Sequence, residues 1–167
     1  MTVPQSQTPG TAPETLRATL ANFATGVTVI TTRDPGGRPF GMTVNSFNSV
    51  SLSPPLVLWS IALSAYSLPI WRAAAGFAVN ILSEDQGDLC RRFASDAEDR
   101  FAGIDWTPGL DGLPVLPGAA AVLECRFWQR HPGGDHEIML GEVIACTQAG
   151  HVPLVYCQGR LGGLRVA

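Results

Sequence analysis

The chain of 167 residues contains no lysine, because all eleven of its basic residues are arginine. This absence excludes chemistry that depends on a lysine side chain: a phosphate-loop lysine, a Schiff base or a lysine general base. The arginines are scattered along the sequence, so the basic cluster typical of nucleic-acid binding is missing. We therefore expect no nucleic-acid partner.

Charge of either sign is scarce. Charged residues make up 15% of the chain and apolar residues 46%. The length fits one domain with a substantial core. Because so few residues are charged, a monomer would have little polar surface to face the solvent. We therefore expect part of the apolar excess to lie in a subunit interface.

Cysteine and long apolar runs are also scarce. Cys90, Cys125, Cys146 and Cys157 show no C-x-x-C spacing, and the three histidines add no ligand pattern. Neither disulfides nor a metal site are expected, and the cysteines are interpreted as reduced core residues of a cytoplasmic protein. No apolar run reaches the ~20 residues that span a bilayer, since Arg72 interrupts the best candidate, so we expect no membrane segment.

Common catalytic and nucleotide-binding motifs are absent. The chain has neither a G-x-G-x-x-G run after a strand nor a G-x-S-x-G nucleophile elbow. If a nucleotide is bound, its phosphates would have to be held by arginine, by hydroxyls, or by helix N-termini near Ser67 and Ser83. Asp135 and His136 are not expected to form a dyad, because neighbouring side chains on a strand point to opposite faces.

The most informative stretch is residues 41–58, where uncharged polar side chains lie between two β-prone apolar runs. These side chains are Thr43, Asn45, Ser46, Ser49 and Ser51, followed by a turn at residues 53–55. Hydroxyl and amide groups can donate and accept hydrogen bonds without net charge, so the stretch predicts a binding edge. A partly solvated strand with a polar face remains the alternative.

The element pattern predicts a mainly β domain. We expect a flexible N-terminal arm over residues 1–12 and a single domain over residues 13–167. An amphipathic helix starts at Pro13 and is capped by Gly26. A second helix runs from Ser67, with Pro69 in its first turn, to Gly76. A third starts at a Ser-x-x-Gln capping box at residues 83–86.

About seven strands are expected, at residues 27–32, in 41–52, and at 56–63, 77–82, 121–129, 137–147 and 154–157. The run at 56–63 is nearly all apolar, which predicts a central strand buried on both faces. A turn at residues 132–135 predicts a hairpin, and residues 95–118 a long loop with one helical turn at most. Hairpin connections dominate, so an antiparallel barrel with helices at its ends and edges is predicted.

His136 is the histidine with a predicted role. It follows a Gly-Gly-Asp turn at a strand entrance, where its imidazole could donate a hydrogen bond to a polar ligand. A solvated turn histidine is the alternative. His131 and His151, beside Pro or Gly in expected loops, are assigned no role.

Several segments, taken in order, resemble the short-chain flavin reductases that serve two-component flavin monooxygenases. The resemblance covers residues 14–162 and rests on residues 23–32, 41–47 with 49–52, 77–82 with Gln86, Phe93-Ala94, 134–136 and 141–143. Each motif is modest, but their shared order and spacing make coincidence improbable.

That resemblance implies an antiparallel split β-barrel with a few short helices, acting as a homodimer. It implies binding of FMN or FAD, reduction by NADH or NADPH, and release of reduced flavin to a separate flavin-dependent oxygenase. Flavin contacts are implied at Gly26, Val27, Thr28, Thr43, Val44, Asn45, Ser46, Ser49, Val50, Ser51, Ser64, Phe93 and Ala94. His136 is implied as the catalytic residue, with Arg160 as a second contact to the nicotinamide nucleotide. Because flavin carries the redox chemistry, no acid–base pair is needed.

The sequence departs from this family at two places. Residues 62–65 contain no basic side chain where members often have one, and Arg160 is followed by Leu161 instead of an aromatic residue. Two other functions remain as alternatives: a non-catalytic protein that binds flavin or another flat ligand on the same barrel, and a hydrolase using the serine-rich turn.

Overall fold

Antiparallel strands form most of the fold, and the computed structural model describes residues 12–164. The strands are Thr25–Gly26 (β1), Thr28–Arg33 (β2), Pro39–Val44 (β3), Asn48–Leu52 (β4), Pro55–Ala62 (β5), Gly76–Ile81 (β6), Thr107–Pro108 (β7), Pro114–Val115 (β8), Ala121–Gly133 (β9), His136–Gln148 (β10), Leu154–Cys157 (β11) and Arg160–Gly163 (β12). The α-helices are Pro13–Leu20 (α1), Leu68–Ala73 (α2) and Gly87–Ala94 (α3). The predicted arm at residues 1–12 lies, except for Ala12, outside the described residues.

The main sheet has seven strands in the order β3-β2-β6-β9-β10-β5-β4, and every pairing is antiparallel. Its two edge strands, β3 and β4, follow each other in the chain and are joined only by residues 45–47. So short a connection brings the two edges together, and the sheet must therefore curl. The predicted antiparallel split barrel with few short helices is confirmed.

One hydroxyl bridges the split. Ser46, between β3 and β4, accepts a hydrogen bond from the Ser60 N–H at 2.9 Å and donates to the Ser60 carbonyl at 3.3 Å. Ser60 belongs to β5, two strands from β3 across the opening. The end of β3 is thereby fixed against the end of β5.

Aromatic side chains fill the barrel. Trp59 and Trp71 are completely buried and meet edge to face, with ring centroids 4.9 Å apart. Phe77 packs against Trp59 in the same geometry at 5.8 Å. Edge-to-face packing of this kind adds to the area each ring buries. A second apolar cluster, around Phe93 and Leu82, lies between the sheet and α3.

Local sequence signals account for the helix starts. The predicted capping box is present, but it opens a 3-10 turn at Glu84–Gln86 that leads into α3: Gln86 accepts a hydrogen bond from the Ser83 N–H at 3.1 Å, and the Ser83 side chain completes the box. Helix α2 takes Pro69 in its first turn as expected, but ends at Ala73, because Ala74 is extended. Gly76 therefore begins β6 and does not cap α2.

The sequence also misplaced two residues and one strand within the fold. Gly26 does not cap α1, which ends at Leu20, but lies in β1 and pairs with Val155. The apolar run that forms β5 is not central: it lies next to edge strand β4, and only alternate side chains are buried. The central strand is β9, which also contains His131, expected in a loop.

More strands form than the seven expected. The long loop at residues 95–118 contains β7 and β8 with a short 3-10 turn between them, and the chain adds β12 after the last predicted strand. These strands are short, and they depend on pairing partners that a local pattern does not show.

The cysteines are all unpaired thiols but differ in exposure. Cys90 and Cys125 are buried as expected, whereas Cys146 is exposed and Cys157 is half-buried, so the prediction of four core cysteines was wrong. Within residues 12–164, no helix has the length and apolar composition needed to cross a membrane.

Candidate functional site

A cavity of about 280 Å³ lies where the split of the barrel is bridged, and we call it the split cavity. It is lined by residues 42–46 of β3 and the following bend, residues 60–62 of β5, Ala65, and His136 of β10. Four predicted flavin residues, Thr43 to Ser46, thus meet the predicted nicotinamide residue at one place.

The polar side chains of this cavity differ in whether they already form hydrogen bonds within the protein. Thr43 donates its hydroxyl hydrogen bond to the Cys90 carbonyl of α3 at 2.7 Å, and Ser46 is engaged with Ser60. Asn45 is exposed and makes no side-chain hydrogen bond to any described residue. Its amide is therefore the group best placed to pair with a polar ligand.

The predicted segment Gly26 to Thr28 does not line the cavity, but Thr28 holds a lining strand in place. Val27 and Thr28 are both 2% exposed, and Thr28 donates to the Val44 carbonyl at 2.7 Å. This bond fixes the last residue of β3, directly before Asn45. Gly26 is exposed in β1.

The predicted residues of β4 do not line the split cavity. Ser49 and Val50 are exposed on this edge strand, and the half-buried Ser51 accepts a hydrogen bond from the Ser53 N–H at 3.2 Å. Ser64, also exposed, lies in the turn between two cavity residues, Ala62 and Ala65.

Phe93 and Ala94 occupy different environments. The Phe93 ring is completely buried and packs edge to face on Phe101 with centroids 4.9 Å apart. A ligand contact at Phe93 would therefore have to come through its backbone. Ala94 is exposed at the C-terminal end of α3.

His136 is held at the cavity mouth by its neighbour. Its Nδ1 lies 2.7 Å from Oδ1 of Asp135, contrary to the expectation that the two side chains diverge. The expectation was wrong because Asp135 lies in the turn before β10 and not on the strand. The hydrogen bond from His136 holds the pKa of the Asp135 carboxyl below its ordinary value of 3.8.

The contacts of the remaining candidates limit what they can do. Arg160 is exposed at the start of β12, where it pairs with Cys157, and does not line the split cavity. No side-chain hydrogen bond joins a serine to His136 among the described residues, and the Ser46 hydroxyl is occupied by Ser60. The arrangement does not favour a serine hydrolase.

Sequence reasoning missed Ser60 and Asp135 as site residues. Ser60 is the only polar residue in the apolar run 56–63, and that isolation is a signal that could have found it. Asp135 was considered and rejected on strand geometry.

A domain model described as "Flavin reductase like domain" matches residues 20–165 of the chain. The chain is 44% identical over 160 residues to a probable flavin reductase of Rhizobium meliloti, covering 93% of this chain and 51% of the relative. It is 46% identical over 146 residues to FMN reductase (NADH) SmoA of Agrobacterium fabrum, covering 87% and 83%. The chain therefore belongs to the flavin reductase-like domain family.

Solved structures agree with this assignment. The NADH:FAD oxidoreductase of Streptomyces globisporus, in complex with NAD and FAD fragments, superposes with a TM-score of 0.85 at 41% identity, covering 92% of each chain. The chain spans 51% of the Rhizobium flavin reductase and 64% of the stachydrine N-demethylase reductase subunit Stc3 of the same organism.

Proposed function

We propose that the protein is an NAD(P)H:flavin oxidoreductase that binds FMN or FAD, reduces it with NADH or NADPH, and supplies the reduced flavin to a separate oxygenase. The observation that carries the proposal is the split cavity, where the uncharged row Thr43 to Ser46 meets His136. It occurs in a chain of the flavin reductase-like family.

The lining fits a flavin ring. Apart from the imidazole of His136, its polar side chains are hydroxyls and an amide, and Asn45 has no partner among the described residues, so a heterocycle with carbonyl and N–H groups could pair there. The volume of about 280 Å³ lies just below the usual range of small-molecule sites, so the ribityl and phosphate parts would extend outside it.

In this proposal the chain binds and orients, while flavin supplies the hydride-accepting chemistry when bound. Thr43 to Ser46 hold the ring, and Thr28 keeps the end of β3 in place through Val44. Gly26, Val27, Ser49, Val50, Ser51, Ser64, Phe93 and Ala94 stay proposed flavin contacts, with Phe93 acting through its backbone.

His136 is proposed to orient the nicotinamide nucleotide. With Nδ1 engaged by Asp135, its Nε2 is the ring nitrogen left for a ligand. Orientation matters because hydride transfer requires the donor and acceptor atoms about 3–3.5 Å apart. Arg160 does not line the cavity, so its proposed contact would be with a more distant part of the nucleotide.

Two associations complete the proposal. An oxygenase partner is supported by relatives named as reductase subunits of flavin-dependent monooxygenases, such as HsaB of Rhodococcus jostii, which is 39% identical over 153 residues.

A homodimer is supported by edge strand β4, where Val50 is 47% and Leu52 95% exposed, since a second copy could cover these side chains. A cytoplasmic location is part of the same proposal.

The test is nucleotide oxidation by purified protein. We expect NADH or NADPH to be consumed only when FMN or FAD is added. Flavin binding without consumption of either nucleotide would favour the non-catalytic alternative.

The homodimer is tested by light scattering. It should give about twice the 17.7 kDa chain mass, and a monomer mass at micromolar concentration would rule out the homodimer.

A further inference from the structure

A second cavity, of about 170 Å³, lies between the main sheet and the 3-10 turn Leu110–Gly112, and we call it the arginine cavity. Its other walls come from the end of β2, the start of β6 and the middle of β9. It shares no lining residue with the split cavity. Flavin reduction therefore gives the arginine cavity no role.

Arg33, at the end of β2, is fixed by main-chain contacts. Thr31 donates its hydroxyl to the Pro114 carbonyl, and side chains two residues apart on a strand share a face, so Arg33 lies on the side covered by the turn. Its Nε donates to the Gly37 carbonyl at 2.7 Å, and a Cβ at Gly112 would lie only 2.8 Å from its Nη1. Its two Nη groups make no hydrogen bond to residues 12–164. The guanidinium is thus held in place with its terminal nitrogens available.

Arg126 approaches the same turn from β9. Glu124, two residues earlier, accepts the Leu110 N–H, so Arg126 lies on the same face of the sheet. Its Nη2 is 3.8 Å from Oδ2 of Asp111, too far for a hydrogen bond, and both side chains are more than half exposed. Glu142, its cross-strand neighbour on β10, forms no ion pair with it. A loose, exposed pair contributes little energy, so Arg126 is available to a ligand.

A glycine provides the space between the two arginines. Gly76 of β6 pairs with Arg126, and β6 runs between β2 and β9. A Cβ at Gly76 would overlap the Cys125 carbonyl oxygen, so no side chain can fill this position. The strands that carry Arg33 and Arg126 are roughly 10 Å apart, a separation that two long side chains can close around one small ligand.

The lining suits a small organic anion. Its charged residues are two arginines and one aspartate, which is a local excess of positive charge in a chain with a net charge of −3. Each guanidinium presents a planar fork of N–H donors that matches a carboxylate. Leu110 and the buried Leu113 add apolar surface, against which a carbon body is favourable and a hydrated inorganic ion is not.

We propose that the arginine cavity binds a small organic carboxylate. Arg33 and Arg126 would contact its two oxygens, and Leu110 and Leu113 its carbon body. Asp111 would compete with the ligand for Arg126. The site goes beyond the proposed function and does not depend on it, because the two cavities have separate walls.

Calorimetric titration with benzoate, in the absence of flavin and nucleotide, tests the proposal. Benzoate should bind, and benzamide, which has the same shape without the charge, should bind at least about tenfold more weakly, because hydrogen bonds to a charged group are the stronger ones. Inorganic phosphate should not displace benzoate. Absence of benzoate binding, equal binding of benzamide, or preferential binding of phosphate would each overturn the carboxylate site.

Variants locate the binding. Arg126→Gln, at an exposed position, should weaken benzoate binding about tenfold, and Arg33→Gln should act in the same direction. Asp111→Asn should strengthen it, because the competing carboxylate is removed, and a merely structural role of the cluster would not produce this gain. Arg17→Gln, an exposed arginine on α1, is the matched control and should change nothing. Equal affinities in all four variants would place benzoate elsewhere and contradict the assignment.

Added FMN separates the arginine cavity from the split cavity. The dissociation constant of benzoate should be the same with and without FMN, since the two cavities share no lining residue. Displacement of benzoate by FMN would place benzoate in the split cavity and overturn the proposal. Benzoate binding that depends on Arg126, in a protein that oxidises neither NADH nor NADPH with added flavin, would reject the proposed function and leave the carboxylate site standing.

Discussion

Nδ1 of His136 lies 2.7 Å from Oδ1 of Asp135, at the turn that joins the two thirteen-residue strands β9 and β10. Both strands belong to the main sheet, and β10 pairs with β5 so that His136 lies opposite Ala62. The imidazole is thus placed by the longest hairpin of the described fold and oriented by the adjacent carboxylate. The hydrogen bond from His136 lowers the pKa of the Asp135 carboxyl, because it stabilises the charged carboxylate.

Removing the imidazole should affect the nicotinamide side of the reaction. We expect His136→Ala to raise the Michaelis constant for NADH or NADPH and to lower turnover, while flavin affinity changes little. Asp135→Asn should act in the same direction but more weakly, since the ring remains. Steady-state kinetics with each substrate varied in turn measures both effects. An unchanged Michaelis constant for the nucleotide and an unchanged turnover in His136→Ala would show that His136 is a solvated turn histidine. A selective loss of flavin affinity would show that His136 contacts the flavin and not the nicotinamide nucleotide.

Asn45→Leu should weaken flavin binding without unfolding the barrel. The change replaces the free amide at the end of β3 by an apolar group of similar size. A lost hydrogen bond should cost roughly 0.5–1.5 kcal/mol of binding free energy. Titration of flavin fluorescence measures it, with Gln148→Leu as the control, since Gln148 is an exposed amide at the far end of β10. A dissociation constant equal to that of the control would remove Asn45 from the site.

Gly141→Ala should destabilise the fold. A Cβ at this position would overlap the Phe77 ring and lie 3.0 Å from Cβ of Cys125. Overpacking of a filled core costs about 1–3 kcal/mol. Gly162→Ala is the matched control, because a Cβ there meets nothing within 4 Å. Urea unfolding compares the two variants, and equal midpoints would show that β10 does not pack against Phe77 as closely as described.

Stability should fall at alkaline pH through Cys125. Burial raises the pKa of its thiol from 9.0 to about 12. The unfolded thiol ionises above about pH 9 while the folded one keeps its proton, so this contribution is complete below pH 9 and is lost as pH rises towards 12. Cys125→Ser lacks the effect, so the stability difference between wild type and variant should shrink by about 1 kcal/mol between roughly pH 8 and pH 10. A constant difference in urea unfolding would contradict a buried thiol.

Features set by neighbouring residues could be predicted from the sequence. The Ser83–Gln86 capping box and the turn between β9 and β10 depend on side chains a few residues apart, and both were found in place. The uncharged row at Thr43 to Ser46 was also recognisable, because small polar residues between apolar runs stand out.

Features set by tertiary contacts could not be predicted. The Ser46–Ser60 bridge and the clamp of Arg100 on Gly41 join residues that are distant in sequence. Burial of the Phe93 ring depends on how α3 packs against β3, and no local pattern reports that packing. The Asp135–His136 pair was missed for a different reason: strand alternation was applied to Asp135, which lies in the turn before β10 and not on the strand.

The most direct test of the central claim is anaerobic flavin reduction. Purified protein is mixed with free FMN or FAD and with NADH or NADPH in the absence of oxygen, and the flavin absorbance is followed with time. We predict that flavin bleaches rapidly with at least one pair of substrates, that His136→Ala slows the bleaching, and that omission of the protein leaves only the slow uncatalysed reaction. Bleaching no faster with protein than without it, for every pair, would contradict the proposal that this protein reduces flavin.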